Sequence, residues 1–192
     1  MSKDYSLEET PPNQQRRAKY AQSDQWTGEF LTVAQVGHVA THWDDQPFIT
    51  PTLFWYDAER RRIYFHSNIS GRVRANIERH PEVCFETFNA GRLLPSNVAL
   101  EFSLQYESVV AFGMIRILED DEEKRRALDG LLAKYFPALQ PGKEYRPPTD
   151  QELKRTSVYA IRVESWSGKQ NWPERADQSD EWPALDAQWL EV

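Results

Sequence analysis

Between about residue 23 and residue 166, short runs rich in β-branched and aromatic residues recur, separated by small polar clusters. "VGHVATHW" (36–43) and "PFITPTLFWYD" (47–57) read as strands joined by the turn-forming "DDQ", and "RRRIYFHS" (60–67) follows across "DAE". Runs joined by turns this short predict a three-stranded antiparallel meander. "EVCFETF" (82–88), "YESVVAFGMIRILE" (106–119) and "TSVYAIRVESW" (156–166) predict three more strands. Gly113, inside the fifth, signals a bulge or a close backbone approach. "NAGRLLPSN" reads as loop, and "VALEFSLQ" after it as partly extended.

Three stretches carry helical signals. "DQWTGEFLTVA" (24–34) has Asp24 as its candidate N-cap and Trp26, Phe30 and Leu31 on one face. A second helix opens at Gly71 and ends before Pro81. The clearest is "DDEEKRRALDGLLAKYF", with Asp120 and Glu123 as a capping-box pair and Leu128, Leu131, Leu132, Tyr135 and Phe136 as its apolar stripe. Six mostly antiparallel strands with helices between them predict a small barrel of α+β class.

The ends differ from this middle. Residues 1–22 are polar and rich in Pro and Gln, and read as a flexible or partner-wrapping arm. Residues 167–192 hold three of the seven tryptophans, Trp172, Trp182 and Trp189, without either periodicity. Anchors of that size predict a tail laid across the domain or across a second subunit. The organisation expected is therefore an arm and one domain over 23–192.

Composition narrows the function classes. Lys and Arg number 23 against 30 Asp and Glu, a net charge of -7, which argues against nucleic acid or an anionic membrane as partner. The single cysteine, Cys84, excludes an internal disulfide and fits a reducing cytoplasm. No apolar run approaches a membrane span, and the N-terminal stretch lacks the apolar core of a signal peptide, so a soluble cytoplasmic protein is expected. No G-x-G-x-x-G follows a strand, and neither a G-K-[ST] loop nor a nucleophile elbow is present. His38 and His42 share one strand face four residues apart, too far to share a metal, and no metal site is expected.

One stretch carries a chemical conflict. In "IYFHSNISGRVRAN" (63–76) a strand ends on His66 and a helix opens with Arg72 and Arg74. Cations sit badly at the positive end of a helix dipole. An anion bound there would resolve the conflict, with free N–H groups, dipole and guanidinium all directed at one negative group. The alternative is a solvated turn whose arginines face water.

That stretch, with "PFITP", "LLPSN", "LQYESVVAFG", "LKRTSVYAIRVESWSGKQNW" and "EWPAL", resembles the pyridoxamine 5′-phosphate oxidase superfamily of FMN-binding split barrels. Within it, the chain is most similar to the Nim group, proteins associated with 5-nitroimidazole resistance. The resemblance spans about residues 24 to 190. It implies a six-stranded antiparallel split β-barrel with flanking helices, forming a homodimer with FMN sites at the subunit interface. The positions it assigns to the cofactor are Thr50, Pro51 and Thr52 on the second strand, then His66 and Ser67 at the strand end. Gly71, Arg72 and Arg74 follow at the helix start, Ser108 in the long strand, and Lys169 and Trp172 near the C-terminus.

The departures matter as much. Where the oxidases carry a Ser-Arg-Lys run for the phosphate, this chain has Gly71, Arg72 and Val73, with Arg74 as a possible substitute. Ser108 replaces a flavin-contacting glutamine, Pro51 and Tyr56 stand where the oxidases place an arginine and a lysine, and Trp172 stands where an Arg-x-His pair binds pyridoxal. Each lost charge-assisted bond is worth roughly 1.5–3 kcal/mol, so oxidation of pyridoxamine phosphate is not expected. The Nim resemblance implies instead a flavin-dependent reductase of small nitro-heteroaromatic compounds, with His66 orienting or protonating the substrate. It also admits a pyruvate adduct at His66, or a flavin- or haem-binding protein with His66 as axial ligand and no nitroreductase activity.

Overall fold

The computed structural model describes Asn13, Gln15 and residues 17–190. Eight strands form one antiparallel sheet: β1 (Ala21–Gln22), β2 (Val36–Trp43), β3 (Gln46–Leu53), β4 (Trp55–Asp57), β5 (Arg62–Asn68), β6 (Glu82–Leu94), β7 (Ser103–Ile117) and β8 (Thr156–Asn171). The helices are α1 (Asp24–Val33), α2 (Arg72–Arg79), α3 (Asp121–Tyr135), α4 (Asp150–Lys154) and α5 (Ala187–Leu190). The order across the sheet is β3-β2-β6-β7-β8-β5-β4, with β1 added beside β8. β3 comes against β5 where the sheet curls round. The two are not paired, so the barrel is split along that seam. This is the α+β split barrel that the resemblance implied, with eight strands in place of the six expected, since β1 is added and the run 47–57 divides into β3 and β4.

Period-2 alternation builds the core. Gly37, Val39 and Thr41 of β2, Val83, Phe85 and Thr87 of β6 and Val109 and Ala111 of β7 all point inward and are buried. Phe54, Phe65, Tyr159 and Ile161 complete this interior. Phe30 and Leu31 of α1 pack on the same interior, as do Val73 and Ile77 of α2, and Asn76 of α2 donates to Thr41 Oγ1 at 2.9 Å. A second, smaller core forms where α3 packs outside β5, joining Tyr64, Leu118, Ala127, Val158 and Ala160. There Trp55 presses so closely on α3 that a Cβ at Gly130 would lie 2.2 Å from its ring.

Several elements differ from the sequence expectation. The run 47–57 is two strands, because the chain leaves β2 at Leu53, buries Phe54 and pairs again with β5 from Trp55. β6 runs on to Leu94 through the expected loop, with a register irregularity between Ala90 and Leu93. The first helix is capped by Ser23, whose side chain accepts from the Trp26 amide, rather than by Asp24. α4 went unrecognised although Thr149 and Glu152 form a capping box. The described part of the expected arm is tied down, since Ala21 and Gln22 pair with Lys169 and Gly168, and Asn13 donates to the Val110 carbonyl. Residues 1–12, 14 and 16 of that arm lie outside the described residues. The tail returns over its own domain, where Ser96 Oγ donates to the Asp177 carbonyl and Asn97 Nδ2 to those of Ser179 and Trp182.

Candidate functional site

The seam between β3 and β5 gathers one set of groups. On β3, Phe48, Thr50 and Thr52 share the half-buried face, while Pro51 points outward opposite His38. Arg72, the first residue of α2, lays its guanidinium 4.4 Å from the centre of the Phe48 ring. It forms no ion pair among the described residues. No side chain caps this helix, because Gly71 precedes it with φ 148°, a conformation that favours glycine. A Cβ at Gly71 would meet nothing within 4 Å, so the space before the amides is open. Ser67, two residues beyond the buried Phe65, shares the inward face of β5. Thr50, Thr52, Ser67, Gly71 and Arg72 therefore surround a corner whose electrostatics suit an anion.

Arg74 does not complete that corner. Its Nε donates to Glu78 at 2.7 Å, one helical turn on, and its Nη1 to Ser157 Oγ at 3.3 Å. Its charge is already paired, so as a second phosphate ligand it would have to leave Glu78.

His66 faces elsewhere. Strand alternation turns it to the side of Tyr64, away from Ser67, so the two neighbouring side chains cannot grip one ligand from the same face. On that side His66 opens on a cavity of about 510 Å³ walled by Leu128 and Leu132 of α3 and by Phe136 just beyond its end. Tyr145, Arg146 and Pro148 of the following loop and Leu153 of α4 supply the other wall. His66 is exposed by area, yet the protein around its ring draws the imidazole pKa below its ordinary value by desolvation, which favours the neutral base. At the rim Arg146 holds Glu152 through both carboxylate oxygens, at 2.8 and 3.1 Å. Arg146 first, and then the Thr149 amide, hold the Glu152 carboxyl down at about 2.

The remaining expected positions form a third group. Ser108 pairs with Lys169 across β7 and β8, and Lys169 Nζ lies 4.8 Å from the Tyr106 ring centre. Trp172 follows, half exposed, against Gly91. Along β8, Lys169 is twelve residues beyond Ser157 (169 − 157), some ~40 Å of extended strand from the α2 corner. Within one chain these three do not join the corner. The cavity walls themselves were missed in the sequence. Their signal was an apolar stripe on α3 that runs past what the core uses, leaving Phe136 and Leu139 exposed.

No curated protein matches this sequence. Among solved structures, a flavocytochrome, Anf3 from Azotobacter vinelandii, is similar with a TM-score of 0.74 at 25% identity, covering 87% of this chain and 76% of that one. An FAD- and haem-binding protein from Mycobacterium smegmatis is similar with a TM-score of 0.71 at 23% identity, covering 83% and 76%. A protein proposed to confer 5-nitroimidazole antibiotic resistance, from Bacteroides thetaiotaomicron, gives 0.63 at 23%, covering 78% and 90%. The family model described as pyridoxamine 5′-phosphate oxidase matches residues 23–170, from the start of the first barrel helix to the end of the last strand. With most of its length under that model and a split barrel as its fold, this chain belongs to the pyridoxamine 5′-phosphate oxidase family.

Proposed function

We propose that this protein is a flavin-dependent reductase of small nitro-heteroaromatic compounds, working as a homodimer with the FMN phosphate at the start of α2. The observation that supports this reading is Arg72, a guanidinium without an ion partner among the described residues, beside an uncapped helix end with open space before it. Dipole, amides and guanidinium then converge on one dianion. Thr50, Thr52 and Ser67 offer hydroxyls to the polar edges of the cofactor. FMN supplies hydride chemistry that no side chain can provide. A substrate stacked on it in the seam would meet Ser67 of β5 and not the His66 ring. Pyridoxamine phosphate is a poor candidate substrate, because Trp172 stands where the family's pyridoxal-binding pair belongs.

The test is titration of the purified protein with FMN, followed by flavin fluorescence quenching, for the native chain and for Arg72→Ala. Saturation at micromolar FMN, weakened by on the order of tenfold or more in the variant, is expected for loss of a charge-assisted phosphate contact. An unchanged affinity in Arg72→Ala would move the phosphate elsewhere. Absence of saturable binding would end the flavin reading. Reduction of a 5-nitroimidazole by the reduced flavoprotein tests the substrate class separately.

A second reading has its own observation. The apolar cavity over His66 is separate from the seam, and two of the similar structures are, by their names, a flavocytochrome and an FAD- and haem-binding protein. This favours haem as a further cofactor, with His66 as its axial ligand.

A further inference from the structure

We infer that a haem in the cavity over His66 is held by that one protein ligand, leaving the opposite axial position open to a small external molecule. The inference rests on the haem reading and is independent of the flavin site.

The volume comes first. At about 510 Å³ the cavity is of the size that encloses a drug-sized or cofactor-sized ligand. A single nitro-substituted five-membered ring would leave most of it unfilled, and the walls offer such a ring little polar recognition. A flat apolar macrocycle would fill it against Leu128, Leu132 and Phe136 on one side and Pro148 and Leu153 on the other.

The inventory of donors decides the coordination. Among the described residues, His66 is the only imidazole at the cavity, and no methionine, cysteine or lysine lines it. The oxygen donors are Tyr145, Thr156 and Glu152. Glu152 is committed, with both carboxylate oxygens on Arg146 and one also accepting from the Thr149 amide at 2.8 Å. The Thr156 hydroxyl donates to the Glu152 carbonyl at 2.9 Å, and a neutral alcohol is a weak iron ligand. Among the described residues only Tyr145 remains as a rival, and the rest of the lining besides Arg146 is apolar. Arg146, the one cation among the lining residues, is itself held on Glu152, so the carboxylates at a macrocycle's edge would face solvent at the rim.

The experiment uses the full chain, hemin as the probe and absorption spectra in both oxidation states. Expected are a saturable Soret band, a five-coordinate high-spin ferrous spectrum, and formation of a carbon monoxide adduct. His66→Ala should weaken hemin binding at least tenfold, and added imidazole should restore the band, which a fold defect would not permit. Tyr145→Phe should leave the spectrum unchanged. A six-coordinate low-spin spectrum in both states, or a spectrum altered by Tyr145→Phe, would overturn the single-ligand inference while haem binding stood. Unweakened binding in His66→Ala would overturn it by moving the iron elsewhere. No saturable Soret band would overturn the haem reading itself, and the FMN titration would be untouched by that result.

Discussion

Lys134 shows how one side chain can report on its surroundings. Its ammonium lies 3.6 Å from the centre of the Phe54 ring and donates to the Leu31 carbonyl at 3.2 Å, contacts that favour the charge. Burial outweighs them and lowers its pKa from 10.5 to about 8. Between those two values the unfolded chain holds a proton that the folded chain has lost, so unfolding takes up a proton and stability rises with pH. Below pH 8 both states are charged and this dependence vanishes. Urea midpoints compared between native protein and Lys134→Met should therefore diverge in favour of the native protein from pH 8 to pH 10, and run parallel at pH 6 to 7. Parallel curves throughout would mean that the ammonium stays hydrated. At this scale the sequence was legible only in part. Arg72 was identifiable from its place at a helix start. Arg74's pairing was also readable, because Glu78 four residues on is the partner that helix geometry provides. The opposite facing of His66 and Ser67 follows from strand alternation, but the family motif groups them as neighbours and hides it.

Among the elements, the join of β7 and β8 is the most constrained. The register shifts between Phe112 and Gly113, where one residue of β8, Glu164, is passed in the step from Ser165 to Val163. A Cβ at Gly113 would fall 2.1 Å from the Arg162 carbonyl oxygen, a backbone atom that cannot turn aside. Gly113→Ala should cost about 1–3 kcal/mol or more, as overpacking does, read as a lowered urea midpoint with an unchanged slope. A loss under a few tenths of a kcal/mol would mean that the two strands separate easily at this point. The glycine was legible as a bulge because an isolated glycine in a strand pattern has few other uses. The strand hidden in "NAGRLLPSN" was not, since Asn, Gly, Pro and Ser all signal turns while the pairing with β7 is long-range. α4 was missed for its length, as five residues give periodicity nothing to repeat.

Across the whole molecule, the outer face of β3, β2, β6 and β7 asks for a cover. The ladder register aligns Ile49, Ala40, Cys84 and Phe112 in one row across these strands. Pro51, His38, Glu86 and Val110 form the next, and Leu53 and Phe88 extend the patch beyond it. Ile49 is 71% exposed, and a contiguous apolar face of this kind marks an interaction surface. Within it the His38–Glu86 bond, 2.9 Å long, satisfies the two polar groups against each other. The proposed homodimer would bury this face. It would also give the α2 corner of each chain access to Ser108, Lys169 and Trp172 of a second copy, groups that one chain holds too far away. Ile49→Asp sets a charge on the most exposed edge-strand position of these rows and should convert a dimer to monomer in sedimentation at micromolar protein, with weakened FMN binding as a consequence. Leu100→Asp is the control, since Leu100 is 93% exposed on the short 3₁₀ turn Ala99–Glu101, outside the aligned rows. A dimer that survived Ile49→Asp would place the contact elsewhere. A monomer that still bound FMN at full affinity would make the corner complete within one chain, and the distant group of Ser108, Lys169 and Trp172 would then need another explanation.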